Sequence, residues 1–230
     1  MANKVYLGVG HGGSDPGAVA NGFKEKDLNL SVALACQAEL ARHGVTVLMS
    51  RTNDENESTN EKVKECNAFK PDLALDIHNN AGGGDGAEVF HTHKGGKGKT
   101  LAVNILDEVV KIGQNSRGAK TKKNAYGQDS YNMIRSTYAP AVIVECAFLD
   151  NKKDLQIIDT AAEQKAFGVA IAKGILKTLG IAYKAQKPDA EKETTGKLYR
   201  AQAFAGSKSG AEEMVKKLKA AGFDAFVSYY

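Results

Sequence analysis

Leu73-Ala74-Leu75-Asp76-Ile77-His78 is a short apolar run that ends on a side chain able to bind a metal. Two other stretches share this build: Val5-Tyr6-Leu7-Gly8-Val9-Gly10-His11 and Ala141-Val142-Ile143-Val144-Glu145. Runs of this length, rich in β-branched residues, predict buried strands of a mostly parallel sheet. Ligands of open α/β sheets sit beyond the carboxyl ends of the strands. Two imidazoles and a carboxylate are therefore expected at one edge, a pattern that suggests a metal site with an acid beside it.

Working outward, helix-like segments alternate with these strands. Leu28, Val32, Ala35, Cys36 and Leu40 recur at helical spacing, and Gly44 stands where a C-cap is expected. Val45-Thr46-Val47-Leu48-Met49 is strand-like, and a polar stretch from Arg51 to about Lys70 leads to the 73–78 run. Gly82-Gly83-Gly84-Asp85-Gly86 reads as a flexible loop before a strand over Ala87-Glu88-Val89-Phe90-His91. A helix from about Lys99 carries Leu101, Ile105, Val109 and Ile112, residues 113–135 are polar, and Phe167, Ile171, Ile175 and Leu179 form the ridge of a last helix. Residues 1–183 thus predict an α/β domain, a single mostly parallel sheet flanked by helices.

Composition then shifts. Residues 184–196 contain Pro and Gly and no large apolar side chain, as a linker does. Residues 197–230 predict a small strand-helix-strand (β-α-β) half-module, too short to close a core alone. A second copy of itself is the simplest partner, which points to a homodimer through 197–230.

The formal charge of +4 is modest, and the tail from 184 holds nine Lys/Arg against six Asp/Glu. No basic-aromatic pattern argues for nucleic acid, and no apolar run is long enough to span a membrane. Met1-Ala2-Asn3-Lys4 runs straight into a strand, without a secretory signal, so a cytoplasmic protein is expected. Cys36, Cys66 and Cys146 lack metal or redox spacing and read as small buried hydrophobes.

Gly8-Val9-Gly10-His11-Gly12-Gly13 matches the dinucleotide fingerprint in letters only. Ser14-Asp15-Pro16-Gly17 holds off the helix that such a loop must open into, until about residue 26. His11 and His78 are better read as ligands. A zinc hydrolase needs a third, and Glu25 competes for that place with Asp15, Asp27 and Asp76. Glu145 ends an apolar strand, a costly place for a carboxylate unless it is paired or functional, and it suits a general acid/base. His91 and His93 share a strand face and are the competing metal pair, though they read as a solvated strand end. His43, beside Gly44, reads as structural.

Several motifs together resemble the zinc-dependent N-acetylmuramoyl-L-alanine amidases of the amidase-3 type. They are Gly10 to Gly17, Glu25 with Leu28-Asn29-Leu30, Ser50-Arg51-Thr52-Asn53-Asp54, Ile77-His78-Asn79-Asn80-Ala81, and Val144-Glu145-Cys146-Ala147-Phe148-Leu149-Asp150-Asn151. The resemblance implies Zn2+ on His11, Glu25 and His78, catalysis by Glu145, and substrate contacts from Asn80 and Arg135. It implies bacterial peptidoglycan as the substrate, cut between N-acetylmuramic acid and L-alanine. A phage endolysin acting on the wall after release is the expected setting; the alternatives are a bacterial mother-cell or autolytic amidase, or a wall binder without catalysis. Three positions depart from the family: Asp76 replaces a usual Ser, Lys62 a usual Arg and Ala147 a usual Gly. Asp76 is expected either to orient His78 or to pair elsewhere. The tail, with Tyr199-Arg200-Ala201-Gln202-Ala203-Phe204, resembles one repeat of the SPOR-type wall-binding domain.

Overall fold

In a computed structural model of the chain, the three apolar runs become neighbouring strands of one sheet. Residues 3–185 are described, together with Val215 and Lys216, which are helical. The chain divides into two compact units, Met1–Lys184 and Ala185–Tyr230. The linker and half-module expected over 184–230 lie outside the described residues, apart from Lys184, Ala185 and those two.

Strand β1 (Lys4–Val9) leads through a hairpin, β2 (Val19–Ala20) and β3 (Phe23–Lys24), into helix α1 (Glu25–Arg42). The hairpin turn is Asn21-Gly22, both with positive φ, as tight two-residue turns require. It brings the helix start to Glu25 itself. Then come β4 (Thr46–Met49), α2 (Thr59–Phe69), β5 (Leu73–Asn80), β6 (Ala87–His91) and α3 (Gly96–Val110). The chain continues with β7 (Ser116–Lys120), α4 (Asn132–Ser136), β8 (Ala141–Phe148), α5 (Lys152–Leu155) and α6 (Ala161–Leu179). The polar stretch before the 73–78 run therefore holds a helix, α2, started by a Ser58–Glu61 capping box. The 113–135 stretch likewise holds β7 and α4.

The sheet order is β4-β1-β5-β8-β6-β7. β4, β1, β5 and β8 run parallel, β6 runs against β8, and β7 runs parallel to β6. Loop length explains the reversal. A parallel return needs a crossover of a dozen or more residues, and only residues 81–86 join β5 to β6. That loop is not the flexible segment its glycines suggest. Asp150 accepts from Gly82 and Gly83 N–H at 2.8 Å, Asp154 accepts from Gly86 N–H, and Asn151 Nδ2 donates to Gly84 O.

The two faces of the sheet are unequal. Val5, Leu7, Val9, Leu73, Leu75, Ile77, Val142, Val144 and Cys146 pack under α1, α3 and α6 in the main core. Alternate residues point to the other face. There Tyr6, Ala74, Phe90, Ala141 and Ile143 meet Cys66 of α2 and Met133 and Ile134 of α4. This second cluster reaches only the end of the face where β5 and β8 begin. Gly8, Asp76, His78, Glu88 and Glu145 occupy the other end of the same face. All three cysteines are buried and unpaired, as expected.

Helix α6 lies so close to its neighbours that glycine is required twice. A Cβ on Gly168 would meet Val32 O at 2.5 Å, and one on Gly174 would meet Ile105 Cα at 2.6 Å. Alanine is the better helix former by about 1 kcal/mol. Even so, Gly168→Ala is expected to destabilise the protein by about 1–3 kcal/mol through overpacking, read from urea unfolding.

Candidate metal centre

From β1 the chain moves to β4 on one side, then returns to β5 on the other, so the order reverses between β1 and β5. Crevices at such reversals are where open α/β sheets bind ligands. His11 follows the end of β1, and His78 lies near the end of β5. His11 adopts φ 58°, a conformation rare outside glycine. The neighbouring strand makes room: a Cβ on Gly10 would come within 2.4 Å of the His78 ring, and one on Gly8 within 2.6 Å of Asp76 Oδ1.

Glu25, first residue of α1, reaches over the strand ends and is buried. Its Oε2 lies 3.1 Å from His11 Nε2, and its Oε1 lies 2.9 Å from His78 Nδ1. The other nitrogen of each ring faces an aspartate, Asp15 at 2.7 Å from His11 Nδ1 and Asp76 at 3.4 Å from His78 Nε2. A carboxylate behind an imidazole sets its tautomer and leaves the opposite nitrogen free to ligate. Ligand atoms of His11, Glu25 and His78 all fall within 4.8 Å of one another. Two nitrogens and one oxygen so disposed fit a catalytic zinc ion, which takes three protein ligands of these types.

A network of hydrogen bonds frames the three side chains. Glu25 accepts from Ala18 N–H, Asn79 N–H and Asn29 Nδ2, and Asn29 in turn accepts from Asn79 Nδ2. The buried Arg51 donates to Gly10 O and Lys26 O, which holds the backbone beside His11 and beside Glu25. Burial opposes a charge on Glu25, but hydrogen bonds to His11 and His78 outweigh it and hold the carboxyl well below its ordinary range. Burial likewise opposes a charge on His78, yet Asp76 and Glu25 push its pKa up to about 10.

Glu145 is the register partner of His78 on β8, one strand away on the same face. Burial pushes its carboxyl up to about 7; the His78 charge opposes this, and Glu25, Glu88 and Asp76 reinforce it. Among the described residues its Oε2 is buried without a hydrogen-bond partner.

Asp15 backs His11 and Asp27 is exposed, so neither takes the third ligand position. Asn80 stands beside the site at the end of β5, with Nδ2 donating to Glu88 and Oδ1 accepting from Ala81 N–H. Arg135 on α4 donates to Asp129 O and Ser130 O, in a cavity that reaches Ala141, the first residue of β8. Ala141 itself is four residues from Glu145 along that strand, about 13 Å at 3.3 Å per residue. His91 and His93 are also at that far end, because β6 is antiparallel and His91 pairs with Val142. His91 is buried rather than solvated, its Nδ1 at 2.8 Å from Thr92 O, and His93 pairs with Asp129 at 2.9 Å. His43 is structural: its Nδ1 meets Glu39 O, and its Nε2 accepts from Lys184 N–H.

Two further charged residues are buried at the site, Glu88 and Lys62. Glu88 interrupts an apolar strand just as Glu145 does. Lys62 is buried on a helix, and its Nζ donates to Asp76 Oδ1 at 3.0 Å and to Val9 O at 2.8 Å. Asp76 thus does both things expected of it, turning one oxygen to His78 and the other to Lys62. Burial opposes its charge, while Lys62 and His78 hold its pKa below the ordinary value.

Comparison with known proteins places these residues in a family. The profile of the amidase-3 family, N-acetylmuramoyl-L-alanine amidase, matches residues 5–177. The chain is 35% identical over 231 residues to the N-acetylmuramoyl-L-alanine amidase CwlM of Bacillus licheniformis, covering 98% of this chain and 85% of that protein. It is 31% identical over 202 residues to the endolysin of Bacillus phage SPP1, with 84% and 72% covered. Among solved structures, Cwp6 from Clostridium difficile superposes with a TM-score of 0.77 at 37% identity, over 78% of this chain and 30% of that one.

Removing Lys62 tests the buried pair. Lys62→Met leaves Asp76 buried without its countercharge and is expected to cost about 3–5 kcal/mol in urea unfolding. Adding Asp76→Ser should recover most of that stability. The double variant should bind zinc about ten- to a hundredfold more weakly in competition with a chromophoric chelator, since His78 has lost its support.

Proposed function

The chain belongs to the amidase-3 family of N-acetylmuramoyl-L-alanine amidases, and we propose that it cleaves peptidoglycan with zinc held by His11, Glu25 and His78 and with Glu145 as acid/base. The bond cut joins the lactyl group of N-acetylmuramic acid to the L-alanine of the stem peptide. The observation that carries the mechanism is the register pair His78–Glu145, which sets a carboxylate, one of whose oxygens has no partner among the described residues, one strand from a metal-capable imidazole.

Zinc, when bound, supplies a Lewis acid for the scissile carbonyl and lowers the pKa of water. Glu145 takes a proton from the attacking water as the new C–O bond forms. It returns that proton to the amide nitrogen as the C–N bond breaks, so the peptide leaves as an amine and the lactyl group as an acid. Asp15 and Asp76 hold the two imidazoles in place, and Arg51 holds the backbone that carries His11 and Glu25.

The setting we propose is a phage endolysin, in keeping with the SPP1 relative; the bacterial amidase CwlM supports an autolytic enzyme as the second reading. Among the described residues no helix is long and apolar enough to cross a membrane. For residues 197–230 we propose a wall-binding or dimerising half-module, supported by its SPOR-like sequence and by a match to CwlM that spans 98% of the chain.

Glu145→Gln is expected to lower the release of L-alanine amino termini from purified walls by about 10²–10⁴-fold while zinc content stays near about one ion per chain. Normal lysis by the variant would make Glu145 structural. Release of other amino termini by the wild type would point instead to a stem-peptide peptidase. Deleting residues 197–230 should turn a dimer into a monomer in sedimentation; a truncated protein that stays dimeric refutes pairing through the tail.

A further inference from the structure

The row that holds His78 and Glu145 continues across the sheet. Glu88 on β6 is the register partner of Glu145, so its side chain lies on the same face. On the edge strand β7, Arg117 Nε donates to Glu88 Oε2 at 2.8 Å, and Lys120 Nζ donates to the same oxygen. Two cations around one buried carboxylate leave a net positive charge. That charge is accessible, since the Arg117 and Lys120 side chains are 36% and 35% exposed. Arg117 also packs on an aromatic ring: its Cζ sits over Phe148, 4.9 Å from the ring centroid. Among the described residues only its Nε is engaged, which leaves the Nη1/Nη2 fork for another acceptor. Lys122, with Nζ 5.7 Å from the centroid of Tyr131, extends the basic rim. At the other end, beside His11, a cavity of about 410 Å³ is lined by Asp15, Glu57 and Glu61. The site is therefore acidic at its His11 end and basic beyond Glu145.

This polarity fits the direction in which the substrate must lie. In the proposed reaction the carbonyl carbon faces His11, Glu25 and His78, and the departing nitrogen faces Glu145. Beyond that nitrogen, along the same row, the peptide passes Glu88 and reaches β7. Two strand spacings are roughly 10 Å, which an extended peptide covers in about three residues. Lysines on an edge strand also discourage sheets from pairing edge to edge. That role needs no fixed geometry, whereas Arg117 is pinned by a ring and a carboxylate next to the acid/base, with its fork unused.

We propose that Arg117 and Lys120 form a subsite for a carboxylate on the peptide side of the scissile amide, within about three residues of it, so that the enzyme selects acidic stem peptides over amidated ones. The inference rests on the amidase reading.

Two muramoyl tripeptides that differ only in having free or amidated carboxylates test it on the full-length zinc-loaded protein. The wild type should favour the acid about tenfold through KM, the scale of one charge-assisted hydrogen bond, and added salt should shrink the preference. Arg117→Gln and Lys120→Gln should each bring the ratio toward one without altering zinc content; each leaves Glu88 one cation, so the fold keeps its ion pair. Arg117→Lys, which keeps the charge but loses the planar fork, should fall between. Equal cleavage of both substrates by the wild type overturns the subsite and leaves the amidase reading standing. So do variants that slow both substrates alike while the ratio holds. If the zinc-loaded protein cleaves neither, the amidase reading fails and the subsite with it.

Discussion

The site depends on one buried carboxylate shared between two imidazoles. Glu25 meets His11 and His78 through its two oxygens, and in doing so joins the loop after β1, the start of α1 and the end of β5. A buried carboxylate is costly unless its hydrogen bonds are satisfied. Here backbone N–H groups of Ala18 and Asn79 and the Asn29 amide complete the set. The arrangement explains the hairpin before α1, which delivers Glu25 as the first helical residue, and the glycines around it. A Cβ on Gly17, at φ 65°, would lie 2.6 Å from both Glu25 Oε2 and His11 Cδ2.

The unequal covering of the sheet makes space for that cluster. One face is apolar along its length and supports three helices, and that face dominates the apolar burial on which stability rests. The other carries two shorter helices over one end only. Chemistry occupies the uncovered end, where polar side chains are paired with one another in rows across the strands. Lys62–Asp76 lies under His78, and Glu88 with Arg117 and Lys120 lies beside Glu145. Buried ion pairs of this kind add little net stability over apolar packing. Their use here is positional, because a charged partner fixes a neighbour's orientation more narrowly than an apolar contact does.

Much of this was readable in the sequence. Continuous apolar runs rich in β-branched residues located β1, β5 and β8, and i, i+4 ridges located α1, α3 and α6, because burial on both faces of a sheet or on one face of a helix leaves those local patterns. Lys62 and Cys66 are too few to mark α2 as amphipathic, and only its capping box announces it. β7, with Arg117 and Lys120 among its residues, has no apolar alternation because it is a polar edge strand. The 82–86 loop looked free because its partners, Asp150 and Asp154, lie far along the chain.

The sequence by itself determined the class of sheet, the residue types that end its central strands and, through its motifs, the family. Only the tertiary structure decided which acid stands behind which imidazole, that His91 and His93 lie away from the centre, and that Glu88 stands beside Glu145. The reason is physical. Burial and helix caps act within a few residues and leave a local pattern. Pairings such as Glu25 with His78, 53 residues apart, depend on strand order, direction and register, which are set when the whole sheet closes on its core.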